Sequence, residues 1–359
     1  MKLEELLERG VREGASDIFI KAGAAPVLRV AGNVMPLYSD VVSEFEVADY
    51  VEQLANEKAR ARFAERGEVD LAFELDPLGR FRVNIFRQRA RVSIVLRIIK
   101  SRIPSFEDLN LPAENLKKLA SVPRGLVLVT GIAGSGKSTS IAAMLEYVNE
   151  NFAKHVVTVE DPIEYVFQDK RSIFDQREVG HDTEGYSSAL KHVVRQSPDI
   201  IMLGEMRDQE TMEAAMHAAE TGHLVFSTLH TPNAMQSIDR IMNFFQPHSH
   251  NFLRSQLSQL LEGVVSQRLI PTKDLTARVP AIEIMMATPT IRELLLNGKT
   301  GELYKATKQG KYFGCMTFNQ SLKALLDTDL ITVEDAINNA DSPEELRLEL
   351  RGISRDSGF

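Results

Sequence analysis

Residues 131–138, Gly131-Ile132-Ala133-Gly134-Ser135-Gly136-Lys137-Ser138, constrain this chain more than any other stretch. They satisfy every fixed position of G-x-x-x-x-G-K-[ST], a loop that needs a buried strand before it and a helix after it. Both flanks are present. Residues 126–130 (Leu-Val-Leu-Val-Thr) are a short apolar run of buried-strand character. Over 139–148, Ile141, Ala142, Leu145 and Val148 fall on one helical face. Gly131, Gly134 and Gly136 let backbone N–H groups turn inward around a phosphate chain. The helix N-terminus adds a dipole that favours anions. Lys137 is then expected to reach the β- and γ-phosphates, and the Ser138 hydroxyl to ligate Mg²⁺. Ser135 and Thr139 complete the expected nucleotide-contacting set.

A chain of 359 residues has room for two or three domains. The net charge of −8 does not favour nucleic acid as the main partner, because phosphate backbones select basic surfaces. Cys315 is the only cysteine, so neither an intrachain disulfide nor a cysteine-built zinc site is expected. Residues 1–8 read as an amphipathic helix start containing acids rather than a secretory leader. No apolar run approaches the ~18 residues of a membrane span. A cytoplasmic protein is expected, with any membrane association coming through a partner.

The first 100 residues read as a small α/β unit. Strand-like runs at 18–21, 27–30 and 71–75 surround a helical stretch over 44–65. In 79–86, period two puts Phe81, Val83 and Ile85 on one face and Arg80, Arg82 and Asn84 on the other. In 91–97, Val92, Ile94 and Leu96 face the core, opposite Arg91 and Arg97. These two segments read as half-buried antiparallel strands. Residues 101–112, with two prolines and no clear period, read as a linker. From 113 onward, strands at 126–130, 156–160, 199–203 and 223–229 alternate with helices, the signature of a mostly parallel sheet. A helix over 209–221 stops at Gly222. Beyond about residue 288 the chain reads as helical, over 291–296, 318–326, 333–339 and 343–351.

Three segments place chemistry at the carboxyl ends of strands, the edge where open α/β sheets bind ligands. Residues 156–164 end in Glu160, Asp161 and Glu164 around Pro162, which cannot continue a central strand. A carboxylate there can orient or deprotonate a water that attacks a γ-phosphate. Residues 199–205 are an apolar strand that ends in Glu205, which could hold Mg²⁺. Asp199, at the strand's start, reads as a turn or cap residue. Residues 221–230 carry a histidine at each end, and His230 is the one on the phosphate side. Arg80, Arg82 and Arg97 share a polar sheet face. They are either a solvated charged surface or arginine fingers that neutralise charge on a phosphate.

Taken in order, 131–139, 159–164, 176–180, 203–208 and 220–231 resemble the Walker A, Asp box, Walker B and His box segments of the type II/IV secretion ATPase superfamily. The chain is most similar to the type IV pilus retraction ATPases, the PilT/PilU branch. Residues 14–20 (Gly-Ala-Ser-Asp-Ile-Phe-Ile), 79–84 and 288–294 carry the likeness along nearly the whole chain. The resemblance implies a PAS-like α/β domain over 1–100, a linker at 101–112 and a RecA-like P-loop ATPase domain over 113–359, helical from about 288. It implies a homo-hexameric ring that binds ATP and Mg²⁺ at subunit boundaries. Arg80, Arg82 and Arg97 would reach the phosphates, Glu164 would be the general base, Glu205 the Mg²⁺-side acid and His230 the γ-phosphate sensor. Implied partners are an inner-membrane pilus platform protein and a paralogous retraction ATPase. The ring would sit in the cytoplasm, peripheral to the inner membrane, with neither membrane insertion nor nucleic acid binding.

Some positions depart from the family. Ala133 stands where a threonine is usual, at a variable position of the motif, and residues 291–297 match the retraction branch only in part. The assembly ATPases of the same superfamily usually carry a four-cysteine zinc element, which Cys315 alone cannot build. Retraction is therefore expected over assembly or a RecA-like nucleic-acid translocase. Lys137→Ala should abolish ATP hydrolysis and weaken nucleotide binding while leaving the fold intact by circular dichroism, because it removes a phosphate charge contact. Wild-type turnover in that variant would remove the phosphate-loop reading.

Overall fold

The structure, a computed structural model, describes residues 2–30, 32–99 and 102–351. The expected linker start at Ser101, the first domain's limits at residues 1 and 100, and the chain end from 352 to 359 lie outside the described residues. The chain divides into two units, Met1–Arg102 with Glu164–Val166, and Ile103–Ile163 with Phe167–Phe359.

In the first unit α1 (Leu3–Arg12) leads into β1 (Asp17–Lys21), β2 (Val27–Val30) and β3 (Asn33–Pro36). Then come α2 (Glu44–Leu54), α3 (Glu57–Arg66), β4 (Glu68–Leu75), β5 (Gly79–Gln88) and β6 (Arg91–Ile98). The strands form one antiparallel sheet in the order β3-β2-β1-β6-β5-β4. Phe81, Val83, Ile85, Ile94 and Leu96 are fully buried on one face, as period two requires. Leu6 and Leu7 of α1 and Tyr50 of α2 join that core. The single helix expected over 44–65 is in fact two. The Asn56 side chain accepts from the Ala59 N–H at 2.9 Å and caps α3. Asparagine competes for backbone hydrogen bonds in this way, which favours a helix start over a helix interior.

The second unit opens with residues 103–112, read above as a linker, of which Phe106 and Leu111 are core. An irregular segment shows no period, yet it can still bury two large side chains. Next come α4 (Ala113–Ala120), β7 (Gly125–Thr130), α5 (Lys137–Asn151), β8 (His155–Glu160) and β9 (Ile173–Glu178). They are followed by α6 (Tyr186–Val193), β10 (Ile200–Leu203), α7 (Gln209–Glu220), β11 (Leu224–Leu229), α8 (Ala234–Met242) and α9 (His250–Leu260). A hairpin of β12 (Leu261–Pro271) and β13 (Arg278–Met286) precedes α10 (Pro289–Leu296), α11 (Leu303–Gln309), α12 (Phe318–Asp327), α13 (Val333–Asn338) and α14 (Pro343–Leu350).

The sheet order is β13-β12-β7-β11-β10-β8-β9, parallel throughout except for the β12–β13 pair. Strands β7, β10 and β11 are buried along their whole length, as a parallel sheet covered on both faces demands. The helical end builds a smaller core, where Phe318, Leu322 and Leu346 pack on Ile270 and Val279 of the hairpin. Among the described residues no helix is long and apolar enough to cross a membrane.

Phe226, in the central strand β11, is fully buried. Phe226→Ala should lower unfolding free energy by about 3–5 kcal/mol, the usual size for an aromatic deleted from a core. An unchanged urea midpoint would contradict the packing described here.

Candidate active site

The parallel register brings the carboxyl ends of β7, β8, β10 and β11 to one edge. Leu229 pairs with Thr130, and Leu203 pairs with both Ser227 and Val159. From that edge residues 131–136 run as a loop into α5. Gly131, Gly134 and Gly136 have φ of +150°, +75° and +90°, where side-chain-bearing residues are strained. Space forbids a side chain at Gly131 as well, and at Gly136 one would have to displace the Gln267 side-chain amide. A Cβ on Gly131 would lie 2.5 Å from the Gln267 carbonyl oxygen, and one on Gly136 would lie 2.7 Å from Gln267 Nε2. Gln267, on β12, also accepts from the Ser140 hydroxyl of α5 at 2.7 Å. The loop is thus pressed against a strand that the sequence did not announce.

Lys137 lies buried at the start of α5, and its ammonium donates to the Gly131 and Ile132 carbonyls at 2.9 and 3.1 Å. Ser135 Oγ is buried with no hydrogen-bond partner among the described residues. Ser138 and Thr139 are half-buried in the first turn. The residues present fit a polyphosphate: a glycine-lined loop, a lysine across it, an unpaired hydroxyl, and a helix N-terminus. No three His, Cys, Asp or Glu side chains converge to cage a metal among the described residues. Mg²⁺ in a phosphate-loop site needs only a hydroxyl and a carboxylate, with substrate oxygens and water completing its shell.

Glu205 follows β10, with its side chain mostly covered. Its Oε2 lies 2.8 Å from Arg207 Nη2, and its Oε1 lies 3.4 Å from His230 Nε2. The structure therefore brings together two candidates found separately in the sequence. Glu160 is buried and accepts from Thr158 Oγ1 at 2.7 Å and Gln176 Nε2 at 3.2 Å. Asp161 is exposed. Tyr186, at the first position of α6, was missed by the sequence reading. Burial pushes its phenol up, reinforced by the carboxylates of Asp161 and Glu205. A Cβ on Gly204 would lie 2.7 Å from the Tyr186 hydroxyl, so the Gly-Glu order of 204–205 was its only trace in the sequence.

His223 and Asp199 sit at the opposite strand ends and serve the fold. His223 Nδ1 is 2.9 Å from the Ala218 carbonyl. Asp199 accepts from the His155 N–H and the Lys154 ammonium, both at 2.9 Å.

Arg80, Arg82, Arg97 and Glu164 belong to the first unit. Glu164 is exposed. Arg82 and Arg97 are direct cross-strand partners, and Arg80 pairs across from Glu74. Arg97 Nε donates at 3.0 Å to Asp17, a buried carboxylate that Arg29 approaches at 3.4 Å from its other side. Like charges opposite each other are unfavourable on a sheet, and Asp17 offsets this for Arg97.

The sequence profile of the Type II/IV secretion system protein family matches residues 2–322. The type IV pilus ATPase PilU of Pseudomonas aeruginosa is 44% identical over 351 residues, covering 98% of this chain and 92% of that protein. The type IV pilus retraction ATPase PilT of the same organism is 44% identical over 344 residues, covering 96% and 99%. The crystal structure of the pilus retraction motor PilT with bound ADP superposes with a TM-score of 0.89 at 42% identity, covering 97% of this chain and 99% of that one. The chain belongs to the type II/IV secretion system protein family, and its mixed α/β fold with a largely parallel sheet is that of the secretion ATPases.

Gly204→Ala should force the Tyr186 ring to shift, with a stability loss of about 1–3 kcal/mol, the usual range for overpacking. Gly204→Ala combined with Tyr186→Phe should recover part of that loss, because the crowded atom is the hydroxyl. Thermal melts of the single and double variants decide this, and an unrelieved double variant would place the crowding elsewhere.

Proposed function

We propose that this chain is an ATP-hydrolysing motor that powers type IV pilus retraction, and with it twitching motility. The observation that carries this reading is the glycine cradle of 131–136 seated on Gln267, in a chain that matches pilus ATPases along nearly its whole length. On this reading the first unit is the PAS-like domain and the second a RecA-like ATPase domain with a helical end.

The residues divide the work by chemistry. Loop amides and Lys137 hold the phosphates in place. Ser138 and Glu205 are the groups suited to Mg²⁺, which when bound would neutralise charge on the phosphate oxygens. Glu164 takes the proton of the attacking water. Arg80, Arg82 and Arg97 stabilise negative charge as it develops on the transferred group. His230, held 3.4 Å from Glu205, reports the presence of the γ-phosphate to the strand edge. Because those arginines and the phosphate loop belong to different units, a closed homo-hexamer would let one subunit complete its neighbour's site; head-to-tail contacts close into a ring when the rotation between subunits closes. The ring would work in the cytoplasm at the inner membrane, on a platform protein of the pilus machine, alongside a paralogous retraction ATPase.

Deleting the gene in its host should leave many pili and no twitching; a cell without pili would indicate an assembly motor instead. In the purified protein Glu164→Gln should bind ATP yet hydrolyse it ~10²-fold more slowly, the usual size of a general-base effect. Glu205→Ala should also shift the Mg²⁺ dependence of nucleotide affinity, read with a fluorescent ATP analogue. Normal turnover in Glu164→Gln beside an inactive Glu160→Gln would transfer the base role to Glu160.

A further inference from the structure

His230 directly follows β11, and only three residues separate it from α8. That short connection, 231–233, is held from several sides. Thr231 Oγ1 and Ser237 Oγ are 2.6 Å apart, and Ser237 Oγ donates to the Asn233 carbonyl at 2.7 Å. Asn233 caps α8 by accepting from the Gln236 N–H at 2.9 Å. Arg268 Nη2 of β12 donates to the Pro232 carbonyl at 3.3 Å, and the same guanidinium holds Asp341 and lies over the Phe318 ring at 3.8 Å. The remaining tie is a carboxylate. Glu283, buried in the middle of β13, accepts from the Ala234 N–H at 2.7 Å. Ala234 is the first helical residue after the cap, so Glu283 meets a backbone donor that has no partner inside the helix.

We propose that Glu283 is a positioning residue for ATP hydrolysis: its bond to the Ala234 N–H fixes the start of α8 and thereby the placing of His230 beside Glu205. The inference rests on the reading of His230 as the γ-phosphate sensor. Among those ties Glu283 is the buried side chain of the hairpin that accepts directly from an N–H at the helix start, a donor with no partner inside the helix. Without it a buried N–H is unpaired and the connection loses its tie to the hairpin. A displacement of about 1 Å at a catalytic group is enough to cost up to ~10²-fold in rate.

The experiment compares four variants of the full chain. Its readouts are kcat, KM and the ratio of affinities for a non-hydrolysable ATP analogue and for ADP. Glu283→Ala should lower kcat by about tenfold to a hundredfold. It should also reduce the preference for the ATP analogue and leave ADP affinity unchanged. Glu283→Gln keeps an acceptor oxygen and should restore both readouts. Ala234→Pro removes the donor instead. Proline is well suited to the first helical position, and Asn233 before it already has extended backbone, so this variant should fold and repeat the loss. It decides the matter should Glu283→Ala not fold. His230→Ala should match Glu283→Ala. A folded Ala234→Pro or Glu283→Ala with wild-type kcat and ratio, beside an impaired His230→Ala, would overturn the positioning role alone. Glu283→Gln as impaired as Glu283→Ala would overturn it too. Wild-type behaviour of His230→Ala would overturn the sensor reading, and the positioning role with it.

Discussion

The glycine loop of 131–136 depends on a close approach between two stretches of backbone, the turn at Gly131 and the carbonyl of Gln267. Parallel pairing of β7 with β12 sets Thr130 opposite Ser266, where their hydroxyls bond at 3.0 Å, so the next residue on each strand meets its counterpart. Gln267 then touches both ends of the loop and holds Ser140 one turn into α5. One residue on β12 thus ties together the strand before the loop, the loop and the helix after it. Gly131 answers to this neighbour as much as to a phosphate, since a methyl group there would collide with the Gln267 carbonyl before any ligand arrived.

Given that seat, the rest of the edge follows from parallel register. Strands that leave the core side by side deliver their next residues side by side, which is how Glu205 and His230 come within 3.4 Å although 25 positions apart (230 − 205). The acids there are not equivalent. Glu160 points back into the sheet, where Thr158 and Gln176 donate to it. Glu205 is anchored by Arg207 and His230 at the edge. A carboxylate already engaged by two neutral donors inside the sheet is poorly placed to take a proton from water, whereas one at the rim can respond to a phosphate or a cation.

What was legible in the sequence was local. The loop 131–138, its flanking strand and helix, and three more buried strands showed as motif or as continuous apolar runs. The missing elements depend on distant partners. β9 (Ile-Phe-Asp-Gln-Arg-Glu) is a half-exposed edge strand, too polar to signal itself. The β12–β13 hairpin showed no signal that set it apart, yet it supplies Gln267, Arg268 and Glu283. Nothing in the local sequence marks Tyr186, whose hydroxyl packs against Gly204. The break between α2 and α3 was readable, for Asn56 is a cap residue, but the apolar period on either side masked it. Asp17, which offsets Arg97, lies 80 positions away from it.

Glu283 shows what such distant partners cost. Burial, with Asp341 adding to it and the Ala234 N–H opposing, pushes its carboxyl up to about 7. Between the ordinary carboxylate range and that value the folded chain keeps a proton that the unfolded chain has lost. Stability from this group therefore falls as pH rises through the interval, and above it remains lower by a constant amount. A neutral amide or hydroxyl could accept the same N–H bond with no such penalty. Above that interval the ionised carboxylate lowers stability and strengthens a directional tie to a helix dipole. That exchange makes sense where the placing of a loop matters more than the depth of the native well, which is what the positioning role proposed for Glu283 requires of the connection after His230.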